Sequence, residues 1–138
     1  MELTPELRDF LDRANFAHLC TLRADGGPKS DPVWIGREGD RLLVGTGEAT
    51  PKCQNTYRDP RVAISVVDMQ NPYEVLQMRG RVVEHRNDSD LVIMDAIAVK
   101  YTGQPFPWRS PEGRVAMVIE IEHARLNRLP FQHNPQKV

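Results

Sequence analysis

The chain has 138 residues, of which 40% are hydrophobic and 27% charged, and its net charge at pH 7 is −1. This length fits one domain with a buried core, and the composition is that of a globular protein. A near-neutral charge argues against nucleic acid or an anionic membrane as a partner, and no apolar run approaches the roughly 18 residues that would span a bilayer.

The first predicted element is a helix within residues 1–15. Thr4 is placed to cap it, Pro5 suits its first turn, and apolar residues recur at helical spacing in TPELRDFLDRA. Pro32, in the predicted strand at 29–36, favours an edge position for that strand. The strands predicted here are FAHLCTLR (16–23), KSDPVWIG (29–36) and RLLVGT (41–46), separated by turns at 24–28 and 37–40.

The rest of the chain continues this alternation of helix and strand. Thr50 and Pro51 predict the start of a helix of about two turns in PKCQNTYR. A longer helix is expected in DSDLVIMDAIAVKYTG, capped by Asp88 or Ser89 and ended by Gly103. The remaining predicted segments are the strands RVAISVVDM (61–69), YEVLQMRGRVVEHR (73–86, with Gly80 at a bulge or close approach) and RVAMVIEIE (114–122, with two-residue alternation), and a C-terminal tail at 123–138.

These six strands are mostly adjacent in sequence and joined by short turns, which indicates antiparallel pairing. So many strands in a short chain must close on themselves or pack in two layers. We therefore predict a mainly β (α+β) fold, a six-stranded antiparallel barrel with two or three peripheral helices, in a single domain at 1–138.

Lys52 raises a question because it stands at the start of a predicted helix, where a positive charge costs about 0.3–1 kcal/mol. Free backbone N–H groups at a helix start attract anions, and the small residues at 45–47 leave the approach open. One interpretation is a phosphate group held by Lys52, Thr50 and the free backbone amides at the start of this helix. The alternative is that Lys52 is simply solvated, as most lysines are.

The cysteines and histidines predict neither a metal site nor a catalytic side chain. Cys20 and Cys53 stand alone, and the acidic N-terminus lacks the apolar region of a secretory signal, so we expect a reducing cytoplasm. His18 and Cys20 would share a strand face, but no second ligand pair with zinc spacing follows. Cys53 is predicted to be structural, although a helix start can lower the pKa of a thiol.

The order and spacing of several motifs resemble the pyridoxamine 5′-phosphate oxidase-like superfamily. The motifs are the F-A-x-L-x-T-L-x-x-D-G start, P-V-W, a lysine followed three residues on by asparagine, R-D-P-R-V, N-P-Y and R-G-R-V. Within the superfamily the chain is most similar to small flavin- or deazaflavin-dependent oxidoreductases, and the resemblance covers roughly residues 5–122.

The resemblance implies a split β-barrel that forms a homodimer, with cofactor sites across the interface. It places the cofactor ring along 32–34, the turn at 46–47, and the phosphate at Lys52 and Asn55. The relatives usually surround this lysine with arginines, whereas Thr50, Gln54 and other uncharged residues stand here. The predicted cofactor-binding residues are Pro32, Val33, Trp34, Thr46, Gly47, Thr50, Lys52, Gln54 and Asn55.

Two cofactors are compatible with this pattern, FMN and coenzyme F420. Coenzyme F420 carries a phosphodiester and an acidic tail and should need more cations, which distant arginines would have to supply. The arginines considered for this role are Arg41, Arg58, Arg61 and Arg79.

The implied activity is hydride transfer to or from a small, conjugated substrate. Residues 31–34 and the N-P-Y loop at 71–73 would sandwich the cofactor ring. The alternatives are a non-catalytic binding or carrier protein for a flavin, haem or other planar ligand, and a structural dimer with an empty cleft. Phe106 and Trp108, in a proline-rich loop, would either gate a pocket or be buried at the dimer interface.

Overall fold

In the computed structural model, which describes residues 1–110 and 112–136, the chain forms three helices and seven strands. The elements are α1 (Pro5–Asp12), β1 (Ala17–Leu22), β2 (Pro28–Val33), β3 (Gly36–Glu38), β4 (Arg41–Gly47), α2 (Pro51–Arg58), β5 (Arg61–Val67), β6 (Glu74–Asn87), α3 (Val92–Thr102) and β7 (Arg114–Arg128). None of the helices in the described residues has the length and apolar character needed to cross a membrane.

One antiparallel sheet contains all the described strands, in the order β2-β1-β5-β6-β7-β4-β3. The long strands β6 and β7 pair along their lengths, so each contributes to both halves of the sheet. The sheet wraps around a core that includes Phe10, Leu19, Leu76 and Ile119, all of them fully buried. The predicted mainly β, antiparallel split-barrel fold with peripheral helices is confirmed.

The number and length of the strands differ from the prediction. Residues 36–38, partly predicted as a turn, form a seventh strand because they pair with residues 41–43 of β4. The last strand continues to Arg128, into the predicted tail, because β6 offers it a partner as far as Glu74. The predicted alternation of β7 is wrong over Val115–Ile119, which is buried on both faces between the barrel core and the α3 side.

Local sequence signals correctly predicted the start of α1 and the end of α3. The hydroxyl of Thr4 accepts a hydrogen bond from the amide of Leu7, and Gly103 ends α3 with a positive φ of 76°. Asp88 caps α3 from a distance, since its carboxylate accepts from the amides of Ile93 and Met94. Gly80 is confirmed as a close approach, because a Cβ there would collide with the backbone oxygen of Glu120.

Candidate functional site

The turn between β4 and α2 is held by two threonine hydroxyls. Thr50 occupies the N-cap position, as predicted, but its hydroxyl bonds to no helix amide. It donates instead to the backbone oxygen of Gly47 over 2.8 Å and lies 2.9 Å from the hydroxyl of Thr46. The first turn of α2 therefore has no side-chain cap, which leaves its amides open to another acceptor.

Lys52 is half-buried and lines a cavity of about 510 Å³. Its ammonium group makes no hydrogen bond or ion pair with any residue within 1–110 or 112–136. The cavity brings Lys52 together with the three residues expected along a cofactor ring. The lining residues are Phe16, Pro32, Val33, Trp34, Gly45, Lys52, Met94, Phe106 and Trp108.

One wall of this cavity is a fixed aromatic stack. Trp34 lies parallel to Tyr101, with ring centroids 5.2 Å apart, and Phe16 packs on the same tyrosine at 5.8 Å. The hydroxyl of Tyr101 donates to the backbone oxygen of Asn15 and accepts from the amide of Ile35. Burial raises the pKa of Tyr101, and its two hydrogen bonds hold the ring on which Trp34 stacks.

Another part of the cavity lining comes from the loop that follows α3. Phe106 and Trp108 meet edge to face at 5.2 Å, and Trp108 is 71% exposed. Asp95 of α3 holds this loop by accepting from the amide of Phe106 and from Arg109, a pairing that lowers the pKa of its carboxyl. In the isolated chain, both aromatic side chains therefore border the cavity, as the gating interpretation expects.

Five of the predicted cofactor residues lie outside the lining of this cavity. Asn55 is buried, where its amide donates to Thr21 and accepts from Arg58. Gln54 is exposed and donates to the backbone oxygen of Glu48. The five predicted residues that do not line the cavity are Thr46, Gly47, Thr50, Gln54 and Asn55.

The N-P-Y loop borders a second cavity, of about 560 Å³, which shares Phe16 and Pro32 with the first. Pro72 lines this second cavity, together with His18. Tyr73 packs edge to face on Phe131, with centroids 5.3 Å apart. The two cavities are therefore neighbours at Phe16 and at Pro32 of the edge strand β2.

The distant arginines considered from the sequence do not line the Lys52 cavity. Arg41 pairs with Glu120, and Arg61 pairs with its neighbour Asp59. Arg58 donates to the backbone oxygen of Leu22. The fourth candidate, Arg79, lines a separate depression on the outer face of the sheet.

Sequence reasoning missed Arg114, the first residue of β7. Its guanidinium carbon lies 5.0 Å from the ring centroid of Phe106, and the strand register sets it opposite Gly47. Burial lowers the pKa of the guanidinium, while the charge of Asp88 opposes that shift. The only sequence signal is that a basic residue directly follows the aromatic loop.

A titratable cluster on the other side of α2 is structural. The Nε2 atom of His85 lies 2.8 Å from the hydroxyl of Thr56, and Tyr57 stacks on the imidazole at 3.7 Å. Burial lowers the pKa of His85 and raises that of the Cys53 thiol. The lowered Cys53 pKa considered from the sequence is therefore wrong, because burial outweighs the attraction of Lys52.

The outer face of the sheet is uncovered in the isolated chain. It carries a broad depression of about 700 Å³ lined by side chains of β1, β2, β5, β6 and β7. His18 and Cys20 lie here on one face, as predicted. Within the described residues, no group of three or more histidine, cysteine or acidic side chains is arranged to hold a metal ion.

Comparison with known proteins gives the chain a family and a set of structural relatives. The family model described as pyridoxamine 5′-phosphate oxidase matches residues 3–128. No curated protein sequence matches the chain.

Three solved structures illustrate the likeness. A structure named F420 reductase is 28% identical, with a TM-score of 0.79, over 86% of this chain and 94% of its own. A conserved hypothetical protein from Mycobacterium tuberculosis is 20% identical, with a TM-score of 0.77, over 99% and 94%. General stress protein 26 from Bacillus anthracis is 17% identical, with a TM-score of 0.67, over 88% and 91%. The last two support the fold alone.

Proposed function

The chain belongs to the pyridoxamine 5′-phosphate oxidase family, and on that premise we propose that it is an oxidoreductase with a bound flavin or deazaflavin. Its reaction is hydride transfer to or from a small, conjugated substrate. The printed name of one structural relative, F420 reductase, supports a deazaflavin as one of the two candidate cofactors, and FMN is the other.

The observation that carries the proposal is the composition of the 510 Å³ cavity. A planar ring that bears a phosphate requires flat apolar walls and an available positive charge. The cavity offers such walls and a lysine whose ammonium group has no partner within residues 1–110 or 112–136. Pro32, Val33 and Trp34 offer the ring surface, and Lys52 offers the positive charge. These residues are separated by about 20 positions in sequence, so the fold is what assembles the site.

The side chains in this proposal bind, orient and exclude water rather than react. Lys52 and the uncapped amides of α2 hold the phosphate, while Trp34, fixed by Tyr101, orients the ring. Phe106 and Trp108, which also line the cavity, limit the access of water. A bound flavin or deazaflavin supplies the hydride chemistry itself, so the residues present need only position it.

We further propose that two chains pack through the uncovered sheet face to form a homodimer. The cavity lined by Phe16, Pro32 and Pro72 shares His18 with the depression on this face, so a second chain packed there would lie beside it. The exposed Met69 and Phe131 would be buried by the same contact. Sedimentation equilibrium tests this assignment: a monomer at micromolar concentration, with cofactor present, contradicts it.

Side-by-side titration of the purified protein with FMN and coenzyme F420 tests the proposed function. Binding is followed by cofactor fluorescence at low and at moderate salt. We expect at least one cofactor to bind and its affinity to fall with added salt, because phosphate contacts dominate. Absence of binding by both cofactors would contradict the proposal.

One observation favours the alternative, a non-catalytic binding protein for a planar ligand. The four distant arginines considered from the sequence do not line the Lys52 cavity, so Lys52 is the one cation among the described residues of its lining. Turnover separates the two functions. A chromophore that binds tightly but is neither reduced nor reoxidised by a panel of donors and acceptors supports the carrier, whereas catalytic cycling supports the oxidoreductase.

A further inference from the structure

Arg114 is a partly buried cation whose guanidinium has no hydrogen-bond acceptor among residues 1–110 and 112–136. Its Nε atom is inaccessible to solvent and has no partner. Neither of its terminal nitrogens bonds to a residue within 1–110 or 112–136. A buried N–H group without an acceptor is unfavourable, so native structures rarely leave one unless a ligand or water completes it.

Asp88 is the acidic residue whose charge acts on the pKa of Arg114, but its carboxylate does not accept a hydrogen bond from the guanidinium. One carboxylate oxygen of Asp88 accepts from the amide of Ile93 and the other from Met94. Asp88 therefore holds the start of α3, and its charge reaches Arg114 only through space. Arg41 and Arg61 differ from Arg114 because each of them forms a short ion pair with a carboxylate.

Arg114 does not itself line the Lys52 cavity, but two of its neighbours do. The guanidinium lies over Phe106, and one terminal nitrogen lies 3.8 Å from the position that a Cβ on Gly45 would occupy. Phe106 and Gly45 both line the cavity that contains Lys52. Gly47, opposite Arg114 on β4, adds no side chain that would cover the guanidinium.

We infer that Arg114 is a second anion-binding residue of the proposed cofactor site, binding an oxyanion of the same ligand that Lys52 contacts. The inference rests on the proposed function. A guanidinium fork matches the two oxygens of a phosphate or carboxylate, whereas the ammonium of Lys52 is a point charge. The site would therefore have two cations, Lys52 and Arg114, in the neighbourhood of Gly45.

This oxyanion has two sources, the phosphate of the cofactor or the carboxylates of an acidic tail. Three ligands distinguish them: riboflavin carries neither group, FMN carries a phosphate, and coenzyme F420 carries a phosphodiester and an acidic tail. Dissociation constants of all three are measured for the wild type, Arg114→Gln and Arg114→Lys. Arg23→Gln, which removes an exposed arginine from the turn between β1 and β2, is the matched control.

We expect Arg114→Gln to weaken binding of at least one anionic cofactor by about tenfold, while riboflavin binding and the Arg23→Gln control stay unchanged. Arg114→Lys should recover part of the affinity, because it keeps the charge and loses the fork. A loss for FMN and coenzyme F420 alike identifies the phosphate as the bound group. A loss for coenzyme F420 alone identifies the acidic tail.

Two results would overturn the inference while leaving the proposed function intact. The first is unchanged binding of both anionic cofactors by Arg114→Gln when the wild type binds them. The second is an equal loss for riboflavin and FMN, which would make Arg114 a support for Phe106. Failure of the wild type to bind either anionic cofactor removes the proposed function as well. Should Arg114→Gln not fold, the same comparison is made with Arg114→Lys, for which unchanged binding of both cofactors contradicts the inference.

Discussion

Two half-buried lysines in this chain have opposite surroundings. The ammonium group of Lys100 donates to the backbone oxygens of Leu11 and Ile35, at 2.7 and 2.8 Å, and lies 5.1 Å from the ring centroid of Tyr101. Lys52 lines an open cavity and has no acceptor in the described part of the chain. Burial alone therefore does not mark a binding residue.

The difference lies in where the hydrogen bonds of each ammonium group go. Lys100 joins the end of α1 to the segment between β2 and β3, and its donors serve the fold. The donors of Lys52 are available to a ligand, and the lysine stands at a helix start where an anion would stabilise it. Removing Lys100 should thus reduce stability, whereas removing Lys52 should reduce binding.

The largest expected effect is that of Lys100→Met on stability. The substitution leaves two backbone oxygens without their donor, which should lower the free energy of unfolding by about 2–3 kcal/mol. Urea denaturation measures this change. Lys52→Met is the matched control, with an expected change within about 0.5 kcal/mol. Equal stability losses in the two variants would remove the distinction between the lysines.

The pH dependence of stability provides a second, smaller test of Lys100. Burial lowers its pKa to about 8, from an ordinary value of 10.5. Between these pH values the unfolded chain binds more protons, so the free energy of unfolding should rise with pH. We expect a rise of about 1–2 kcal/mol relative to Lys100→Met, which lacks this titration.

Urea denaturation at several pH values between about 7.5 and 10 measures this rise for both proteins. Lys52→Met should retain the wild-type rise, since Lys100 is intact in that variant. Parallel curves for the wild type and Lys100→Met would contradict the assignment of the rise to Lys100.

The role of Lys100 also illustrates why part of the structure was not predictable from the sequence. The acceptors of its ammonium group are 65 and 89 residues away in the chain. Helix ends, in contrast, depend on neighbours in sequence, so Thr4 and Gly103 were predicted correctly. The short strand β3 was missed because three residues are too few to display alternation, and only pairing with β4 makes them a strand.

The residues of the candidate site also differ in whether the sequence predicted them. The segment 32–34 and Lys52 were predicted from the resemblance, and the fold brings them to one cavity. Asn55, also expected at the phosphate end, turns inward on α2 and bonds to Thr21. Arg114 was not foreseen, because its position near the cavity depends on the register between β4 and β7.

Of the two lysines, Lys52 is the one whose replacement should weaken cofactor binding, in the variant Lys52→Met. We expect a rise of about tenfold in the dissociation constant for FMN or coenzyme F420, because a charge-assisted contact with phosphate is lost. Fluorescence titration measures the change, and riboflavin serves as the ligand without phosphate. Lys100→Met, examined where it remains folded, should bind the cofactor as the wild type does. Wild-type affinity in Lys52→Met would leave Lys52 a solvated lysine.

The smallest expected effect concerns the loop aromatics Phe106 and Trp108, which border the Lys52 cavity. Asp95→Asn keeps an acceptor for the amide of Phe106 but loses the ion pair with Arg109. Because exposed ion pairs contribute little, stability should be unchanged within error, while looser positioning of Trp108 should weaken cofactor binding about threefold. The quenching of Trp108 fluorescence by bound cofactor, measured in a Trp34→Phe background, reports this positioning directly. If Asp95→Asn leaves both quenching and affinity at wild-type values, the loop is held by its own aromatic packing, and the cavity wall does not depend on α3.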